Sequence, residues 1–324
     1  MSVDIFLDSG APTIYNIWAR KKKAKGVMGS FLKDRIGGLS DDYSFLKSEE
    51  YLTYKKQYID FLLQNKEHIN IYANFDIINN AEATWENQLE FESYGLKPIP
   101  VFHLGEDIKW LYNLLDRKYE YIALGGIIPN PVPTIQPVLD NVWSNILTDK
   151  KGMPKVKVHG FGVTSPRLII RYPWYSVDSS SWIKIAAYGG VVVPKIINGE
   201  KDYSSSFHLF FTHRKQMKTD FESIKNHYEF LTDKEKKDLS EYFQEIQTPI
   251  GASLFKKVDK GYSLGKNELW ANEKKDKVEV IESPGLINDY TVRSKANALF
   301  YMNLQKQMPE WPWSFSLLQK GFNL

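Results

Sequence analysis

An alternation of short apolar runs with helix-spaced segments is the feature that most constrains this fold. VDIFLD (3–8) is β-branched and aromatic and runs into the turn signal Ser9-Gly10. SEEYLTYKKQYIDFLLQNK (48–66) then spaces its apolar residues helically behind Ser48, an N-cap candidate. The pattern repeats with HINIYANFDII (68–78) and a helix over 81–95 closing on Gly95, then PIPVFHLG (98–105) and a helix over 106–118. YEYIALGGI (119–127) follows, and after a proline-rich connection (129–137) comes a helix near 138–152. PKVKVHGFGV (154–163) reads as the fifth strand, SPRLIIR (165–171) as a short helix, and WYSVDSSSW (174–182) as a sixth strand ending on Asp178. IKIAAYGGVVVP (183–194) and SSFHLFFTHR (205–214) read as further strands, and from about 217 the pattern is charged and helical, over 220–246 and 288–308.

Strand–helix alternation with near-continuous apolar strands predicts a parallel sheet. About eight strands in the first two-thirds favour a closed (β/α)8 barrel over an open doubly wound sheet. No GxGxxG follows the first strand, which also weighs against the open sheet. The expected organisation is α/β, a (β/α)8 TIM-type barrel over 1–216 with a C-terminal helical extension over 217–324.

Composition narrows the chemistry. With 43% hydrophobic and 25% charged residues over 324 positions, the chain can bury an ordinary core without staples. The absence of cysteine removes disulfides, thiolate nucleophiles and cysteine-held metals, and fits a reducing compartment. Asp4 and Asp8 interrupt the first apolar run, and no run approaches the ~20 residues that span a bilayer. The expectation is a cytoplasmic protein that uses no metal or cofactor. A net charge of +3 argues for no partner by itself. ARKKKAKG (19–26) is more specific: Arg20, Lys21, Lys22, Lys23 and Lys25 form either a solvated loop or a phosphate-contacting one with salt-dependent affinity.

In a barrel, reactive groups belong at the C-terminal ends of the strands. Those ends carry Asp8, Asn74 with Asp76, His103, Gly125-Gly126, His159 and Asp178. Taken singly, an Asp beside Gly or Ser is a common turn-former. Three aspartates converging on one mouth would repel each other, separating their acidities so that one serves as acid and another as nucleophile.

These residues carry a resemblance. LDSGA (7–11) resembles the motif that opens the barrel of tRNA-guanine transglycosylases, which exchange guanine for a 7-deazaguanine base. YIALGGI (121–127) is similar to that family's glycine-containing base-recognition strand. HGFGVTS (159–165) followed by YSVDSSSW (175–182) is closer to the shortened, phage-type members, which act as DNA-guanine transglycosylases. The resemblance spans roughly 3–195 and covers little of the C-terminal third.

The resemblance implies roles. Asp178 stands at the nucleophile position, where a carboxylate attacks C1′ of the sugar through an oxocarbenium-like state. Asp8 stands at the acid/base position, protonating the leaving guanine and deprotonating the incoming base. Asp76, His103, Gly125 and Gly126 fall in the base-binding set, with Ser9 and Gly10 of the first motif. His159 and Ser179 are possible supports, each with an ordinary structural alternative as hydrogen-bonding or turn residue. The tRNA enzymes carry a zinc site of three cysteines and a histidine; a cysteine-free chain has no such subdomain, which favours DNA over tRNA. Pro12 also departs from the family pattern. The expected activity is therefore exchange of guanine in DNA for a 7-deazaguanine such as preQ0, in the host cytoplasm if the chain is phage-encoded. A zinc-free tRNA enzyme, a non-catalytic nucleic-acid-binding barrel and an unrelated glycoside-acting barrel remain as alternatives.

Overall fold

A computed structural model describes residues 6–11, 13–14, 17–18, 43–128, 130–211 and 226–317. Arg20, Lys21, Lys22, Lys23, Lys25 and Pro12 lie outside the described residues. The protein is mixed α/β with parallel sheets. It partitions into two compact units that cut across the linear division at 216/217: Met1–Val163, Tyr172–Asp178 and Trp311–Leu317 make the first, and Thr164–Arg171, Ser179–Glu310 and Leu318–Leu324 the second.

In the first unit, β1 (Phe6–Leu7) pairs in parallel with β2 (Ile71–Tyr72). Then β3 (Val101–His103), β4 (Tyr121–Gly125), β5 (Lys157–Gly160) and β6 (Ser176–Val177) pair in parallel in that order. A parallel bridge between Ala73 and Ile99 joins the two groups, with the Ile99 amide donating to the Tyr72 carbonyl at 2.8 Å. Six parallel strands thus follow one another in sequence order.

The strands curl. In a flat sheet β1 and β5, four positions apart, would be separated by roughly 19 Å. Instead the rings of Phe6 and His159 stack with centroids 4.3 Å apart. A single apolar cluster draws Phe6, Ile71, Val101, Ala123 and Phe161 together from five successive strand regions, on the concave face.

Helices connect these strands: α1 (Glu49–Asn65), α2 (Ala81–Ser93), α3 (Lys109–Asp116) and α4 (Val132–Val142). Ser48 caps α1 by accepting from the Tyr51 amide at 3.3 Å, and Asn80 caps α2 through the Ala83 amide at 2.9 Å. Their inward faces place Tyr58, Leu62 and Phe91 in one core with Tyr72 and Phe75. Burying a side chain of the size of Leu62 or Phe91 contributes about 1.5–3 kcal/mol. The helix expected near 138–152 begins instead at Val132 and passes into a π turn at Trp143–Leu147. Pro133 lies in its first turn, where the missing amide costs nothing, so the proline-rich connection did not delay the helix.

The second unit corrects three expectations. The strand expected over 183–194 is half helix: α5 (Pro166–Arg171) precedes α6 (Ser181–Ala187), and only Gly190–Ile197 forms β7. Ile183-Lys184-Ile185 imitates strand alternation, but Gly189 at φ +87° closes a helical turn. Next, β7 and β8 (Glu200–Phe210) are antiparallel, not further parallel strands. Asn198 and Gly199 at φ +53° and +83° make the tight two-residue turn that joins antiparallel neighbours. Finally, 217–324 is not wholly helical. Between α7 (Asp233–Glu245) and α8 (Tyr290–Gln307) lie β9 (Ala252–Lys257), β10 (Glu268–Trp270) and β11 (Lys277–Ser283), in antiparallel order β10-β11-β9. Lysines and glutamates along these largely exposed strands hid their alternation.

On α8, Arg293 and Asn297 are buried and structural. Arg293 donates to the carbonyls of Ala186 and Leu286 at 2.8 and 2.7 Å, and Asn297 accepts from the Val192 amide at 2.7 Å. Among the described residues no helix is long and apolar enough to cross a membrane.

Candidate active site

Because β1–β6 are parallel, their C-terminal ends share one edge of the curl, and all the strand-end candidates of the first unit gather there. Asp8 leaves β1, Asp76 follows β2, His103 ends β3, Gly125 ends β4, His159 lies on β5 and Asp178 follows β6. Asp8, Asp76 and Asp178 are close enough for their charges to interact.

The two outer carboxylates have opposite surroundings. Burial pushes the Asp8 carboxyl above the usual range, the charges of Asp76 and Asp178 push it the same way, and the Gly10 and Ser9 amides only partly oppose them. Burial also acts upward on Asp178. There the His159 ring and the Gly162 amide, donating at 2.9 Å, outweigh it and hold the carboxyl below the usual range. Gly162 reaches Asp178 by turning at φ +73°, where an added Cβ would fall 2.6 Å from Ile128.

His159 is buried behind Asp178. Its Nε2 lies 3.6 Å from Asp178 Oδ1, and its Nδ1 is 2.6 Å from Ser176 Oγ, which in turn is 2.5 Å from the Tyr121 hydroxyl. Phe6 stacks on the ring, and Phe161 meets it edge-on with centroids 4.7 Å apart. The imidazole therefore has its plane fixed by two aromatics and one edge fixed by a hydroxyl.

Asp76 and His103 form the second cluster. His103 Nε2 lies 2.9 Å from Asp76 Oδ2, and Nδ1 is at an ion-pair distance of 3.3 Å from Glu106 Oε1. Burial disfavours the imidazolium, but these two carboxylates outweigh it and raise His103 to about 9. Ser9 donates to Asp76 Oδ1 at 3.4 Å and accepts from the Ala11 amide at 3.3 Å. Gly10, at φ +70°, turns the chain after Asp8 beneath the Tyr54 hydroxyl.

The glycine pair has internal reasons for lacking side chains. An added Cβ on Gly125 would lie 2.5 Å from His103 Cδ2, and one on Gly126, at φ +74°, 2.9 Å from the Leu104 carbonyl oxygen. Ser179 uses its hydroxyl on the Ser181 amide and hydroxyl at 3.0 and 3.1 Å, a turn role at the start of α6. Glu106, Ser176, Tyr121 and Gly162 were not anticipated as site residues. The signals were present: a carboxylate three residues after His103, a hydroxyl two before Asp178, and the second glycine of HGFG. Among the described residues no group of three or more His, Asp or Glu side chains is assembled to hold a metal.

This arrangement brings to one edge a carboxyl whose proton is favoured, Asp8, a carboxyl whose ionised form is favoured, Asp178, and a third, Asp76, paired with His103. No family model matches the chain, and no curated protein or solved structure matches it.

Proposed function

We propose that the protein is a DNA-guanine transglycosylase, exchanging guanine for a 7-deazaguanine base on a (β/α)8 barrel to which the six curled parallel strands belong. The observation that carries this reading is the convergence of Asp8 and Asp178 on one strand edge, with the His159 ring and the Gly162 amide on Asp178 and the Asp76 charge acting on Asp8 to favour its proton. Separated acidities are what an acid and a nucleophile on one substrate require.

Asp178, ionised, attacks C1′ and forms a sugar–enzyme ester as the C1′–N9 bond breaks. Asp8, protonated, gives its proton to the departing guanine and becomes the base for the next half. It then takes the N9 proton of the incoming 7-deazaguanine, whose N9 displaces Asp178 from C1′. Two inversions give net retention. Asp76 accepts hydrogen bonds from the N–H edge of the base. A duplex buries C1′ and the base edge, so the target nucleotide must be flipped or single-stranded, at a cost of a few kcal/mol. The DNA preference rests on the cysteine-free composition, which cannot build the three-cysteine zinc site of the tRNA enzymes.

Incubation with radiolabelled guanine and either DNA or tRNA tests the reading. Label entering DNA supports it, label entering tRNA alone transfers the assignment to the tRNA enzymes, and label entering neither removes the activity.

A further inference from the structure

His103 ends β3 with no face left for a ligand. Its side chain is 3% exposed; Nε2 meets Asp76, Nδ1 faces Glu106, and the Gly125 backbone packs against Cδ2. The strand amide of His103 also donates to Glu106 Oε2 at 3.2 Å, so Glu106 is hydrogen-bonded to the backbone while its other oxygen stands at ion-pair distance from the ring. A neutral imidazole would turn a lone pair toward one of the two carboxylates, which is repulsive; only the doubly protonated ring suits both.

We propose that His103 is a positioning residue, a buried cationic strut between Asp76 and Glu106 that holds the Asp76 carboxyl in place beside Asp8. The sequence expectation of His103 as a contact to the base is replaced by an indirect role. The titratable groups facing the cluster are Asp76 after β2 and Glu106 before α3, with Asp8 and Asp178 beyond Asp76; β4 contributes only the backbone of Gly125. The Asp76 charge acts on Asp8 and favours its proton. The strut's consequence for base binding rests on the functional reading above, whereas its charge state does not.

Two measurements test the proposal on the full chain. In protein labelled with carbon-13 at histidine ring Cε1, the His103 signal is identified among the six histidines by its loss in His103→Asn, or in His103→Gln if Asn fails to fold. The expected ring stays protonated at pH 8, and Glu106→Gln lowers its titration by about one pH unit or more. A His103 ring that is neutral at pH 7 in the wild type, or that titrates identically in Glu106→Gln, overturns the strut. The second measurement is the affinity for free guanine. Glu106→Gln should bind guanine at least about twofold more weakly at pH 8 and recover at pH 6, where the ring is protonated without Glu106. A loss equal at both pH values reports structural damage and overturns the positioning role. If the wild type binds no guanine, the functional reading fails while the ring titration still decides the strut.

Discussion

Asp8 and Asp178, 170 residues apart in sequence, stand at the ends of the first and sixth parallel strands with acidities displaced in opposite directions. Neither shift belongs to the residue alone. Asp8 is raised by burial and by two other carboxylates, whereas Asp178 is lowered by an imidazole and an amide delivered by the glycine turn after β5.

A raised carboxyl is one whose ionised form the fold disfavours, so Asp8 costs stability wherever it is ionised. Asp8→Asn should therefore leave the protein at least as stable as the wild type at pH 7, while removing base exchange. Urea unfolding at pH 7 checks the first part; a destabilised Asp8→Asn would contradict it.

His103 gives the opposite pH dependence. Its folded-state acidity of about 9 lies above the ordinary 6.5, so the fold favours its protonated form. That stabilisation is complete below about pH 6.5 and fades as pH rises through about 9; one pH unit corresponds to about 1.4 kcal/mol, giving a total on the order of 3 kcal/mol. Denaturation midpoints measured from pH 6 to 10 should fall across this window, and in Glu106→Gln the fall should end at lower pH and be smaller.

Gly125→Ala tests the packing that sets His103. The new methyl would meet a ring that Asp76 and Glu106 prevent from retreating, with Cδ2 at 2.5 Å and Nε2 at 3.0 Å. The expected cost is about 1–3 kcal/mol, with loss of the Asp76 contact. Unfolding measurements and the His103 ring signal report the two effects separately.

Ser176→Ala leaves His159 Nδ1 and the Tyr121 hydroxyl without the oxygen that joins them. A buried group stripped of its partner costs about 1–3 kcal/mol. Exchange should slow by about tenfold as His159 loses its orientation toward Asp178, a loss of roughly 1.4 kcal/mol in transition-state stabilisation. Steady-state exchange rates alongside unfolding curves separate this from global damage.

The parallel half of the fold was legible because apolar strands buried on both sides write near-continuous hydrophobic runs, as in VFH and YIALG. Asp8, Asp76, His103 and Asp178 were legible because parallel strands deliver their ends to one edge. What those residues do to one another was not. The Asp76–His103–Glu106 clamp depends on how far the sheet curls, and the curl is a tertiary property of Phe6, His159 and Phe161 packing. The hairpin after β7 did carry a local signal, Asn198-Gly199, which strand–helix rhythm overrode. The β9–β11 sheet carried almost none, since a mostly exposed sheet needs little hydrophobic alternation.

The covalent step is the most direct test of the central claim. A guanine-containing DNA strand is incubated with the protein, and the products are run on a denaturing gel. The wild type should give a protein–DNA adduct with release of guanine, and Asp178→Asn should give neither, a loss of at least about a thousandfold or roughly 4 kcal/mol. An adduct of undiminished yield in Asp178→Asn would contradict the account.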